Sequence, residues 1–229
     1  GHMPDEVLER FVKDYIDSVT SDEVVFSWQG GEPTLLGLEF FEKVVTLQAK
    51  HAKPGQRIEN DLQTNGTLLD DDWARFLKQH RFLVGLSIDG PREIHDHCRI
   101  TKHAEPTFDQ VFAAAKMLQK HGVRFNTLTC VHRYNASRPL DVYRFLRREI
   151  GSTYIQFIPI VEIRGFENMA PGTWDEAKLP MLGDPRCHPD HPESVVTPWS
   201  VAAEEYGYFL SKIWDEWQAR DVGKVLVNL

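Results

Sequence analysis

The chain has 229 residues, 41% hydrophobic and 26% charged, with a formal net charge of -8. That length suffices for one sizeable α/β domain and exceeds what a small disulfide- or metal-stapled scaffold needs. Lys and Arg form no basic stripe interleaved with aromatics, which argues against a nucleic-acid partner, and no apolar run approaches the roughly 20 residues of a membrane helix.

Gly1-His2-Met3 reads as an expression-tag remnant, and no signal peptide is expected. Val7, Leu8, Phe11, Val12, Tyr15 and Ile16 then fall at helical spacing. Val24 to Trp28 reads as a buried strand, followed by a helix over Leu38 to His51 and a strand over Ile58 to Gln63. Leu69 to His80 is predicted helical, with Asp70 to Asp72 at the end where the helix dipole favours acids. Phe82 to Ile88 is the next strand. Thr107 is the expected N-cap of a helix over Phe108 to His121 that Gly122 ends. Phe125 to Val131 is a strand, Pro139 to Ile150 a helix stopped by Gly151, and Tyr154 to Ile160 a strand. Residues 163–198 are rich in Pro and Gly and lack periodicity, the mark of a long functional or mobile excursion. Ser200 to Val222 reads as one amphipathic helix with Tyr206, Phe209, Leu210, Ile213, Trp214 and Trp217 on its apolar side.

Strand starts recur roughly every 25 to 40 residues, the period of βα units with parallel strands. The strands are apolar runs, as expected when both faces of a sheet are covered. The fold class expected is therefore α/β: about five parallel strands with outer helices, opening on a helix, and short of the roughly eight repeats of a closed barrel. The expected organisation is a core over 4–162, the excursion over 163–198, and a terminal segment over 199–229.

Sites in such proteins gather where strands end. The first end, Gln29-Gly30-Gly31-Glu32-Pro33, offers backbone N–H groups that side chains do not obstruct and a carboxylate. A zwitterionic amino acid fits that pairing. Gln63-Thr64-Asn65-Gly66 ends the second strand, and Ser87-Ile88-Asp89-Gly90-Pro91 the third, where Ser87 and Asp89 suit ribose hydroxyls or an amino group. Asn126 and Thr127, and then Gln156 and Pro159, mark the last two strands. Each segment alone is equally a turn signal. Their occurrence at three consecutive strand ends favours a shared site. The clusters His95-Asp96-His97-Cys98 and Cys187-His188…His191 match no two-plus-two zinc spacing and read as surface loops, with Asp96 and Arg99 able to form a local ion pair. The aromatics Tyr206, Trp214 and Trp217 read as core packing. Three scattered cysteines, Cys98, Cys130 and Cys187, suit a reducing, cytoplasmic setting.

Gly30-Gly31-Glu32-Pro33 resembles the radical-SAM motif that meets the methionine amino group of S-adenosylmethionine. The longer segments Ser27 to Leu35, Leu62 to Leu69, Val84 to Pro91, Gln156 to Glu162 and Pro198 to Val201 resemble anaerobic sulfatase-maturating enzymes of the SPASM type. The resemblance implies a partial (β/α) barrel of the radical-SAM type. It implies S-adenosylmethionine and a [4Fe–4S] cluster as cofactors, and oxidation of a Cys or Ser of a sulfatase to Cα-formylglycine. The implied partners are a sulfatase polypeptide carrying Cys/Ser-x-Pro-x-Arg and a reductant such as flavodoxin or ferredoxin. By the same resemblance Gly30, Gly31 and Glu32 hold the methionine end, and Ser87 and Arg99 contact ribose or carboxylate. Ile158 and Ile160 border the adenine, Gln29 positions the peptide, and Asn65 and Asp89 add cofactor contacts. The family's Cys-x3-Cys-x2-Cys loop has no counterpart here. The expectation is that the first strand and that loop lie upstream of Pro4, so that this core fragment is inactive alone. Two other readings stay open: another peptide-modifying radical-SAM maturase, such as a thioether-forming one, and a non-catalytic binding module.

Overall fold

A computed structural model describes residues 3–165, 180–181 and 183–228 of the chain. Gly1 and His2 of the tag remnant, and positions 166–179 and 182 of the excursion, lie outside the described residues. The helices are α1 (Asp5–Ser18), α2 (Leu38–His51), α3 (Asp71–Gln79), α4 (Arg92–Cys98), α5 (Phe108–His121), α6 (Arg133–Ala136), α7 (Pro139–Arg148) and α8 (Ala203–Arg220). The strands are β1 (Glu23–Trp28), β2 (Arg57–Thr64), β3 (Leu83–Ser87), β4 (Arg124–Val131), β5 (Tyr154–Pro159) and β6 (Leu226–Asn228). The α/β class and the βα alternation hold, with six parallel strands in place of the expected five. The sixth, β6, has three residues, too few for a periodic signal.

The chain divides into two compact units: Gly1–Ser87 with Thr107–Asn126, and Ile88–Pro106 with Thr127–Leu229. In the first unit β1 runs parallel to β2, Glu23 opposite Arg57 and Trp28 opposite Leu62, and β2 runs parallel to β3 from Asp61–Leu83 to Thr64–Leu86. Leu8, Val12 and Ile16 of α1 sit at helical spacing and are buried with Val24 and Phe26 of β1 and Val44 of α2. A second cluster joins Phe41, Leu62, Trp73, Leu77, Phe82 and Leu118. Burial of each such side chain contributes about 1.5–3 kcal/mol. A polar seam between β1, α2 and β2 is internally satisfied. Asn60 Oδ1 accepts from Trp28 Nε1 and Gln48 Nε2, both at 2.9 Å, and Asn60 Nδ2 donates to Gln48 Oε1 at 3.0 Å.

Local chemistry sets the helix ends. Asp70 accepts from Trp73 N at 2.9 Å and caps α3, so that helix starts two residues later than the apolar pattern suggests. Gly122 takes the left-handed conformation, φ 64° and ψ 31°, and the Gly122 and Val123 N–H groups close the last turn of α5 on Gln119 and Leu118. Thr107 occupies the N-cap position of α5 without a side-chain capping bond, because its backbone is already near-helical at φ -115° and ψ -4°.

In the second unit β4 and β5 run parallel, Thr127 opposite Ile155 and Val131 opposite Pro159, and β5 pairs with β6 from Tyr154–Leu226. Phe157 of β5 packs edge-on against Phe209 of α8 at 5.2 Å. Arg144 of α7 forks onto Glu216 of α8, both bonds 3.0 Å. The terminal helix is shorter than expected, Ala203–Arg220 rather than Ser200 to Val222, since the Ala202 N–H is taken by Glu205 Oε2 at 3.1 Å. Its apolar side is narrower too. Phe209 and Ile213 are buried, whereas Trp214 is 47% exposed and is not core. The excursion carries an antiparallel bridge between Ile163 and Val196 and a 3-10 turn over Pro185–Cys187.

Candidate functional site

In the first unit, β1 delivers Gln29, Gly30 and Gly31 to an exposed turn. Gly30 has φ 95° and Gly31 φ 58°, and a Cβ at either position would meet nothing within 4 Å. The two glycines thus hold the backbone in left-handed conformations beside open space, as close approach of a ligand to main chain requires. Glu32 ties that turn to the end of β2. Its Oε1 accepts from Thr34 N at 3.1 Å, Thr34 Oγ1 at 2.6 Å and Thr64 Oγ1 at 2.7 Å, and its Oε2 accepts from Asn65 N at 2.8 Å. Oε1 is saturated, while Oε2, with two lone pairs and the Asn65 N–H as its donor, keeps acceptor capacity. The structure thus brings Glu32 and Asn65 together. Asn65 Oδ1 is turned inward, accepting from Thr67 N at 2.9 Å and Thr67 Oγ1 at 2.8 Å. Ser87, closing β3, is buried.

In the second unit, Asp89 is the hub. Its Oδ2 accepts from Arg99 Nε at 2.6 Å, and its Oδ1 accepts from Arg99 Nη2 at 3.1 Å and Cys130 N at 2.8 Å. Arg99 Nη2 also donates to Cys130 Sγ at 3.4 Å. The carboxylate that Arg99 grips with two prongs is Asp89, ten residues earlier in the chain. Burial works against the Arg99 charge, and Asp89 overrides it and holds the guanidinium protonated. Burial pushes the Cys130 thiol up, and the Asp89 charge adds to the shift; Cys98 is raised for the same two reasons. Ile158 lies opposite Cys130 across the β4–β5 pair and is half-buried. The Ile160 N–H bonds to Val131 O at 2.8 Å, and its carbonyl accepts from Val201 N at 2.9 Å.

The segment expected as a surface loop at 95–98 is the helix α4. It was invisible to periodicity because it has seven residues and starts after Pro91. His95 is fully buried in it, accepts from Asp89 N at 3.4 Å through Nδ1, and has its pKa pushed down to about 4, chiefly by burial. His188 of the other cluster is a surface residue bonded to Glu204 Oε1 at 2.8 Å, and Cys187 is exposed. Among the described residues no three His, Cys, Asp or Glu side chains stand close enough to share a metal ion, and no helix is long and apolar enough to cross a membrane. Sequence reasoning placed Thr64 at a strand end without the role it has, anchoring Glu32, and missed His132, which is 4% exposed and whose Nε2 has no hydrogen-bond partner. The signal for His132 was present as a polar residue immediately after the strand run ending at Val131.

Comparison with known proteins bears on this arrangement. The chain is 41% identical over 227 residues, 99% of its length, to a serine-type anaerobic sulfatase-maturating enzyme of Bacteroides thetaiotaomicron, of which that covers 51%. It is 46% identical over 184 residues, 78% of its length, to a cysteine-type anaerobic sulfatase-maturating enzyme of Clostridium perfringens, of which that covers 49%. The chain thus spans about half the length of the curated relatives it matches. In three dimensions it is similar to native anSMEcpe with bound AdoMet and Cp18Cys peptide, with a TM-score of 0.79 and 36% identity over 99% of this chain and 56% of that one. Residues 1–146 match the family model described as the radical SAM superfamily, and the chain belongs to that superfamily.

Proposed function

We propose that this chain is the core portion of an enzyme that oxidises a Cys or Ser of a sulfatase polypeptide to Cα-formylglycine with S-adenosylmethionine. The observation that carries the reading is the 41% identity, across 99% of the chain, to a serine-type anaerobic sulfatase-maturating enzyme. A cysteine-type relative matches as well, so either target residue is compatible with the core.

The first-unit turn fits the methionine end of S-adenosylmethionine: open space stands beside two glycines with positive φ, and Glu32 Oε2 retains acceptor capacity. Bound there, this cofactor supplies the one-electron chemistry that takes a hydrogen atom from Cβ of the target side chain. The backbone of Gly30 and Gly31 would receive the methionine carboxylate, and Glu32 its ammonium group. Asn65, fixed by Glu32, would complete that end. Ser87 would face the ribose. Asp89 fixes the Arg99 guanidinium so that Arg99 presents its charge in one orientation toward carboxylate or ribose. Ile158 and Ile160 would border the adenine; since both Ile160 backbone groups are already bonded, its contribution would be apolar surface. Exposed Gln29 would position the peptide. A reductant such as flavodoxin or ferredoxin would supply the electron, and the setting would be cytoplasmic.

The [4Fe–4S] cluster that the superfamily implies does not fit the cysteines present. Iron ligation needs thiolates at close quarters, whereas among the described residues no three His, Cys, Asp or Glu side chains stand close enough to share a metal ion, and Cys98 and Cys130 are besides held toward the neutral thiol by burial and by Asp89. The cluster would need other ligands. The test has two steps. Reconstitution of the 229-residue chain with iron and sulfide should give no stoichiometric cluster. A longer polypeptide that includes a Cys-x3-Cys-x2-Cys loop and carries iron should form an aldehyde, detectable with a hydrazide, on a sulfatase-derived Cys- or Ser-x-Pro-x-Arg peptide. Unchanged peptide with cluster-loaded protein would overturn the reading.

A further inference from the structure

Beside the Asp89 hub, and within the second unit alone, lies an open pocket of about 570 Å³ whose walls include His97, His132, Tyr134 and Trp199, with Arg133 and Arg138 at its rim. Its floor is unusual. His132 is 4% exposed, and its Nε2 is buried without a hydrogen-bond partner. A buried polar atom left unmatched forfeits its hydration with nothing in return, so a fold retains one where something else supplies the match. The walls are rings. His97 stacks on Tyr134 with centroids 3.7 Å apart and planes 11° from parallel, and His132 lies 6.3 Å from Tyr134 and 6.5 Å from His97 in near-parallel planes. Tyr134 is 42% and Trp199 53% exposed, so each leaves ring surface open. The Trp199 ring is held in place, its Nε1 bonded to Glu162 Oε2 at 2.7 Å and its carbonyl to Arg133 N at 3.1 Å.

The rim cations are already neutralised. Arg133 pairs with Asp190 at 2.6 Å, and Arg138 pairs with Glu93 and Asp141, both at 2.8 Å. No charge is thus left over to select a phosphate or carboxylate, and the burial that holds His132 neutral selects no anion either. Ring faces favour a flat or cyclic group, and one neutral imidazole nitrogen favours one amide N–H or carbonyl.

We infer that this pocket seats an uncharged, ring-bearing segment of a peptide, the ring against Tyr134 and Trp199, with the His132 ring turning its unmatched Nε2 toward one main-chain amide group. The choice of a peptide over other ring-bearing ligands rests on the peptide-modifying reading above; the ring and the amide rest on the pocket itself.

The test uses the 229-residue chain and two probes. The first is N-acetyl-tyrosinamide, an uncharged capped amino acid, followed by ligand-observed NMR against wild type, His132→Phe and Trp199→Ala. Trp199 is half-exposed, so its variant should fold even if His132→Phe does not. Saturable binding that weakens about tenfold in each variant is expected. No binding to wild type, or equal binding to wild type and Trp199→Ala, would overturn the pocket. The second probe is the sulfatase-derived Cys-x-Pro-x-Arg peptide, added as competitor. Displacement of the capped amino acid supports the pocket as a peptide seat. Binding of the capped amino acid without displacement leaves the ring-and-amide site intact and removes the sulfatase peptide as its occupant.

Discussion

Arg99 and Asp89 form a two-pronged pair, Nε to Oδ2 at 2.6 Å and Nη2 to Oδ1 at 3.1 Å, with the Asp89 side chain 2% exposed. Cys130 N donates to the same carboxylate, so one buried anion holds together β4 and Arg99, the residue that caps the C-terminal end of α4. Replacing Asp89 by Asn would turn an amide NH2 toward a donor whichever way it flips, and would remove the negative charge that the Arg99 guanidinium grips. Asp89→Asn should lower stability by about 3–5 kcal/mol, read from the urea midpoint, because breaking one half of a buried pair strands the other. A midpoint close to wild type would show that the pair is not buried in solution.

Glu32 gathers four donors on two oxygens. Glu32→Gln must turn its NH2 either toward Thr34 and Thr64 or toward Asn65 N, leaving a donor facing a donor. The expected cost is about 1–3 kcal/mol of stability, with a parallel loss of S-adenosylmethionine affinity measured by calorimetry. Loss of affinity without loss of stability would assign Glu32 to the ligand alone.

Two glycines with positive φ should respond differently to alanine. At Gly66 an added Cβ would meet Leu86 Cδ1 at 2.6 Å and Ala114 Cβ at 3.5 Å, so Gly66→Ala combines backbone strain with overpacking and should cost about 2–4 kcal/mol. At Gly31 the space is open, and Gly31→Ala should cost only about 1–2 kcal/mol. Thermal melts of the two variants check the ranking. Equal losses would mean that Leu86 moves aside at Gly66.

His95 has an ordinary pKa near 6.5 when unfolded and about 4 when folded, lowered first by burial and further by Arg99, while the nearby Asp89 and Asp96 oppose the shift. Between those values the unfolded chain binds more protons, so stability falls as pH drops from about 6.5 to 4, by roughly 3 kcal/mol from this group. His95→Asn should flatten that part of the stability profile relative to wild type. Urea titrations at a series of pH values measure it, and an unchanged slope would place the loss on other groups.

The amino-acid sequence by itself determined the alternation of helix and strand, the limits of α2 and α5, and the glycine turn after β1. Each rests on local physics: apolar spacing, a left-handed Gly at a helix end, and backbone freedom at paired glycines. What lay close in sequence but was short, such as the seven residues of α4 and the three of β6, gave no period to read. The tertiary structure alone decided which polar groups meet. Thr64 lies 32 residues from Glu32, and Cys130 lies 41 residues from Asp89. Only the packed strands and helices bring such groups within hydrogen-bond reach. The same packing decided that His95 and His132 are buried while Trp214 is not. Burial is a property of what covers a residue, and the cover comes from elsewhere in the chain.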